Sequence, residues 1–145
     1  MANREAAVSP VTAVLDSEAL SAVAAPHERA VAAQRAQAVL TAVGRRGGRA
    51  VAPAPVLVEV SRTRGRAAAV GRVLGHLPVV DTDRRIAERA GRLLGQHGLD
   101  SCHAVNALVV ATAASVQPAV VLTGDPDDLG RLAEGSPGVA VLPLA

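Results

Sequence analysis

VTAVLDSEAL, residues 11–20, reads as a short β-branched strand over 11–15 that stops at Asp16-Ser17, where a helix cap begins. The same order of strand, acid and helix returns in AVVLTGDPDDL, residues 119–129, with AVVL (119–122) as strand and PDDLGRLAE (126–134) as helix. GVAVL (138–142) is a third short apolar run. Such unbroken runs are typical of strands covered on both faces. Between them, HERAVAAQRAQAVLTAV (27–43) has apolar residues at helical spacing and reaches a helix stop at Gly44. Gly47 and Gly48 then mark a loop, and Pro53 and Pro55 punctuate the entry to the next segment. By propensity alone VLVEV (56–60) reads as a strand. DRRIAERAGRLLG (83–95) is amphipathic, and HAVNALVVATAA (103–114) is apolar nearly all round, as a buried helix is. Repeated alternation of strand and helix predicts an α/β fold with a mainly parallel central sheet.

Composition narrows the function. At 145 residues the chain fits one domain, 1–145, with its core over about 11–143. Half the residues are hydrophobic and none is aromatic, so Leu, Val and Ala must build the core. No run approaches the roughly 18 apolar residues of a membrane span, and the start of the chain shows no signal-peptide pattern. With one cysteine, Cys102, an internal disulfide and a cysteine-rich metal site are excluded. A cytoplasmic location is the expectation. Every positive charge is an arginine. Without lysine, Walker-type phosphate loops and Schiff-base chemistry are excluded.

Four stretches set a carboxylate, or its amide counterpart, in apolar surroundings: Asp16, Glu59 in VLVEVSR (56–62), Asn106 in HAVNALVVATA (103–113), and Asp125. An acid in such a run costs free energy unless something pairs with it. Acids gathered from distant stretches repel one another unless a cation neutralises them. Asp16 and Asp125 fall at the carboxyl ends of predicted parallel strands, the edge where open α/β sheets bind ligands. Each has a plainer role available. Asp16 and Asp125 suit helix N-caps, Glu59 suits an ion pair with Arg62, and Asn106 suits a buried backbone hydrogen bond. Cys102 reads as a small core residue. The four histidines lack zinc-ligand spacing, and Cys102 and His103, taken as helical neighbours, are poorly placed to share a metal.

The order LDSEAL, VEVSR, VNALVVATA and LTGDPDDL resembles PIN-domain ribonucleases, and most closely the VapC toxins of bacterial VapBC toxin–antitoxin modules. The resemblance implies a three-layer α/β/α domain with an acidic pocket at the strands' carboxyl ends, using Mg²⁺ or Mn²⁺ to cut RNA. It implies Asp16 and Glu59 as metal ligands, with Asp125 and Asp128 completing the pocket and Thr123 hydrogen-bonding within it. It also implies a VapB-like antitoxin, and a homodimer or a toxin–antitoxin hetero-oligomer. Hard oxygen ligands select Mg²⁺ or Mn²⁺ over zinc.

Asn106 departs from the pattern, which has aspartate before that alanine. An amide oxygen can still touch a metal but brings no charge. Asn106 fits either an attenuated member of the family or an Asp→Asn change that silences a toxic nuclease, and the intact surroundings favour the second. Arg62 and Arg64 come after Glu59 and are candidates for RNA phosphates. Without aromatic residues, base stacking is not available. Three readings stay open: a metal-dependent ribonuclease toxin, a catalytically inactive PIN domain that binds RNA or antitoxin, and a structural domain whose acids are caps and ion pairs.

Overall fold

Strand β1 (Thr12–Leu15) is buried along its whole length, and Asp16 ends it by capping helix α1 (Ser17–Ala24). The computed structural model describes residues 10–62 and 65–145. After α1 come α2 (Ala30–Arg45), β2 (Arg49–Pro53), α3 (Val56–Ser61), α4 (Ala67–Leu74), β3 (Val79–Val80) and α5 (Arg84–Gln96). A 3₁₀ turn (Ser101–His103) leads into α6 (Ala104–Ser115), followed by β4 (Ala119–Thr123), α7 (Pro126–Ala133) and β5 (Val139–Pro143).

The strands form one sheet in the order β3-β2-β1-β4-β5, every pair parallel. The chain winds outward from β1 to β3, then returns to place β4 on the other side of β1. The order therefore reverses between β1 and β4, which makes this the switch point of the sheet. Helices α1 to α4 pack among themselves, while α5, α6 and α7 pack together. This is the three-layer α/β/α arrangement that parallel sheets need to cover both faces.

The VLVEV segment is a helix, α3, and not the strand that propensity favours. A strand would bury Val56, Val58 and Val60 on one face. Here Val56 and Val60, four apart, are buried, while Val58 is 73% exposed. Helical spacing matches the side chains that reach the core. The strand at this point is instead the preceding RAVAP, between the loop glycines and Pro55. Helix α2 begins at Ala30 and runs past the expected stop to Arg45, and the turn is made by Gly47 at φ 77°.

With no aromatic rings, the core interdigitates small aliphatic side chains. Leu15, Val51, Val109, Leu122, Leu129 and Leu132 are all fully buried. Thr112 on α6 is fully buried too, and its hydroxyl donates to the Leu108 carbonyl at 2.7 Å, so no polar group is stranded.

The entry to β2 passes close under β1. A Cβ at Gly48 would run into the Val11 backbone carbonyl, well inside contact distance, and the Val43 side chain. Backbone cannot move aside as a side chain does. Gly48→Ala is expected to cost roughly 1–3 kcal/mol of stability through overpacking, read as a lower midpoint in urea unfolding. Ala at Gly44, where a Cβ meets nothing within 4 Å, serves as the control.

Candidate functional site

Asp16 stands at the carboxyl end of the central strand and is only 6% exposed. Its position is fixed from three sides. The backbone N–H of Asp16 donates to the Leu122 carbonyl at 3.1 Å, continuing the β1–β4 ladder. Oδ1 accepts from Ala19 N–H at 2.8 Å, and Oδ2 accepts from Gly124 N–H at 3.3 Å. The Thr123 hydroxyl lies beside this carboxylate and favours its charged form. Even so, burial outweighs these donors and raises the Asp16 pKa above the usual carboxylate range, with Glu18 adding repulsion. The expected cap is real, yet Asp16 does more than cap: it ties α1 to the neighbouring strand's end.

Thr123 links the two predicted strand-end acids. Fully buried, it accepts from Asp125 N–H at 2.8 Å while serving Asp16. Asp125 occupies the N-cap position of α7 but makes no side-chain capping bond, so the plain capping role does not account for its carboxylate. Its pKa is raised by desolvation and then by Asp128, one turn along the same helix. Two carboxylates this close disfavour double ionisation.

Glu59 lies exposed on α3, where the Ser17 hydroxyl donates to it at 3.3 Å. The expected ion pair with Arg62 does not form; the arginine pairs among the described residues are Arg29–Glu18, Arg66–Glu28 and Arg84–Glu88. A shallow hollow of ≈ 200 Å³ holds Glu59 and Ser17 together with Arg29, Arg62 and Arg66. Arg62 is thus the arginine of this hollow without an acidic partner among the described residues. Arg64 lies outside the described residues. Asn106 sits in the first turn of α6 and is half-buried, not enclosed as a core asparagine would be.

The predicted acids share one edge of the sheet without closing on a point. No three of Asp16, Glu59, Asp125 and Asp128 bring carboxylate oxygens within 4.8 Å of one another. A hollow of ≈ 550 Å³ beside α5 contains none of them. Two neighbours of the site were not singled out from sequence. Glu18 lies over Gly124, where a Cβ would strike its carboxylate, and it pairs with Arg29 at 3.1 Å. Ser17 holds Glu59. Both come directly after Asp16 in the first turn of α1, and that adjacency was the available signal.

Cys102 is exposed, not a core residue. It and His103 lie on the 3₁₀ turn, where neighbouring side chains are splayed differently from those of an α-helix. Together with Asp100 they bring ligand atoms within 4.8 Å of one another, against the sequence expectation. Cys102 N–H donates to Asp100 Oδ1 at 3.0 Å, and the nearness of thiol and carboxylate pushes the thiol pKa up and holds Asp100 below its usual range.

The sequence pattern of the PIN domain matches residues 13–135. The chain belongs to the PIN-domain family. No curated protein matches it by sequence. Among solved structures, VapBC2 from Rickettsia felis bound to a promoter DNA fragment is similar with a TM-score of 0.68 and 15% identity, over 92% of this chain and 98% of that one. VapBC-1 from nontypeable Haemophilus influenzae is similar with a TM-score of 0.65 and 13% identity, over 92% and 98%. A toxin–antitoxin complex from Klebsiella pneumoniae gives 0.60 and 20%, over 88% and 95%. At these identities the likeness is one of fold.

The donors of this PIN domain suit a hard divalent cation in kind: carboxylates and an amide oxygen at one sheet edge, one carboxylate buried without a cationic partner among the described residues. The raised Asp16 pKa carries a stability consequence. The folded state keeps this proton to a higher pH than the unfolded chain does. The associated stability is therefore present below the ordinary aspartate range and is lost as pH rises through it towards the folded value. Without divalent cations, the Asp16→Asn variant is expected to show a shallower fall in Tm between pH 4 and neutrality than the parent, roughly the window set by the unperturbed aspartate value. Parallel curves for the two proteins would remove the assignment.

Proposed function

We propose that this PIN domain is the toxin of a VapBC-type module, a Mg²⁺- or Mn²⁺-dependent endoribonuclease. The observation that carries the proposal is Asp16: a buried carboxylate at the switch point of the sheet, joined through Thr123 to Asp125 and lacking a basic partner among the described residues. A purely structural acid in this setting is normally paired. The fold likeness to three toxin–antitoxin complexes supports the assignment to this type of module and an antitoxin as partner.

In this reading Asp16, Asn106, Asp125 and Asp128 hold the cation, with Glu59 completing the catalytic set. When bound, the ion lowers the pKa of a water and neutralises charge on the scissile phosphate. The protein's part is positioning. Ala19 and Gly124 N–H groups fix the Asp16 carboxylate, and the Thr123 hydroxyl, beside Asp16, accepts from Asp125 N–H. Ser17 orients Glu59. Arg62, beside Glu59, meets an RNA phosphate. Recognition leans on phosphate and RNA shape, since no aromatic side chain exists to stack on bases.

Asn106 favours a second reading, a PIN domain that binds RNA or antitoxin without cutting. Its amide supplies an oxygen but no charge where the family pattern has aspartate. Cleavage of RNA in Mn²⁺ by the parent, Asn106→Asp and Asp16→Ala separates the two. The nuclease site is supported when Asn106→Asp cuts roughly 10- to 100-fold faster than the parent, the scale of altered metal surroundings, and Asp16→Ala is inactive. If neither the parent nor Asn106→Asp cuts RNA or binds Mn²⁺, the nuclease proposal fails. Replacing Arg62 and Arg64 together with alanine is expected to weaken RNA binding and reduce the slope of log K against log salt by about 1–2. An unchanged slope in filter-binding titrations would remove both from the RNA path.

A further inference from the structure

A second set of metal-ligating side chains lies just outside the strand-end acids, and its chemistry differs from theirs. Asp100, Cys102 and His103 bring a carboxylate, a thiol and an imidazole within 4.8 Å of one another. Asp128, from α7, approaches from another part of the chain, its Oδ2 4.0 Å from His103 Nδ1. None of the arginine pairs among the described residues includes Asp100, Asp125, Asp127 or Asp128, although the chain holds 15 arginines. This corner of the molecule thus gathers negative charge and two borderline-to-soft ligands with no arginine paired to them among the described residues.

We propose that Cys102, His103 and Asp100, with Asp128 as fourth ligand, form a site for a borderline divalent metal of the zinc class, distinct in chemistry from the all-oxygen site. Thiolate and imidazole select Zn²⁺ or Co²⁺, not Mg²⁺. Ligands about 2.0–2.3 Å from a tetrahedral zinc stand roughly 3.3–3.8 Å apart. The ligand atoms of Asp100, Cys102 and His103 lie within 4.8 Å of one another, and Asp128 joins them through His103, its Oδ2 4.0 Å from Nδ1, so binding draws these side chains in to those values. Cys102 is exposed, so an ion can reach it from solvent. A thiol must shed its proton to ligate, so uptake releases a proton and strengthens with pH. The site shares Asp128 with the nuclease reading, while Asp100, Cys102 and His103 take no part in it.

The test is a Co²⁺ titration of the chain carrying no histidine tag, followed by optical absorption. The expected result is a thiolate-to-cobalt charge-transfer band, with d–d bands of tetrahedral intensity, saturating at one equivalent and abolished by Zn²⁺. Cys102→Ser should lose the charge-transfer band. His103→Ala and Asp100→Asn should each weaken binding roughly tenfold or more, and Asp100→Asn keeps a capping side chain on the 3₁₀ turn. Asp16→Asn should leave the spectrum intact, which separates this site from the strand-end acids. Absence of a thiolate band in the parent overturns the proposal. So does a band of unchanged affinity in His103→Ala, since that would be a lone thiol meeting cobalt. Circular dichroism of each variant confirms that lost binding is not lost fold.

Discussion

The buried carboxylate of Asp16 is the constraint around which the molecule is arranged. It terminates β1, starts α1, and accepts the Gly124 N–H from the loop after β4. These ties join the two strands between which the sheet changes direction. Desolvation makes the charged form costly, and the backbone and Thr123 donors recover only part of that cost. A site held this way is rigid but electrostatically unsatisfied, and that combination suits a cation-binding carboxylate better than a structural cap.

Around Asp16 the other acids are held with decreasing firmness. Asp125 is fixed through its backbone to Thr123 but shares repulsion with Asp128. Glu59 is exposed and held by one hydroxyl at 3.3 Å. The gradient runs from the sheet outward: the sheet supplies position, and the helices and loops supply side chains free to adjust. Beyond Asp128, His103 marks a change of ligand chemistry from oxygen to nitrogen and sulfur.

The core shows how such an edge is supported without aromatic residues. Leu, Val and Ala from β1, β4 and α6 are fully buried and fill the space between sheet and helices. Small side chains let elements approach closely, as at Gly48, where the backbone of Val11 lies too near for even a Cβ. The price of that closeness is intolerance to added volume.

The alternation of short apolar strands with capped helices was legible in the sequence, because each run carries its own period and its own stop signals. VTAVL with Asp16 at its end, and AVVLT with Asp125 just beyond it, announced both strand-end acids for the same local reason. Tertiary structure decided the rest. VLVEV is helical because only Val56 and Val60 meet the core, a fact about what lies opposite and not about β-branching. RAVAP is a strand because β1 and β3 pair with it, which the sequence of that run does not announce. Cys102 is exposed because a 3₁₀ turn, not the buried helix, carries it. The sequence by itself determined the parallel α/β class and the acids at the strand ends, since local pattern and capping chemistry are written in neighbouring residues. Only the tertiary structure decided which residues stand beside Asp16 and Asp128, since Gly124 and His103 reach them through long-range packing.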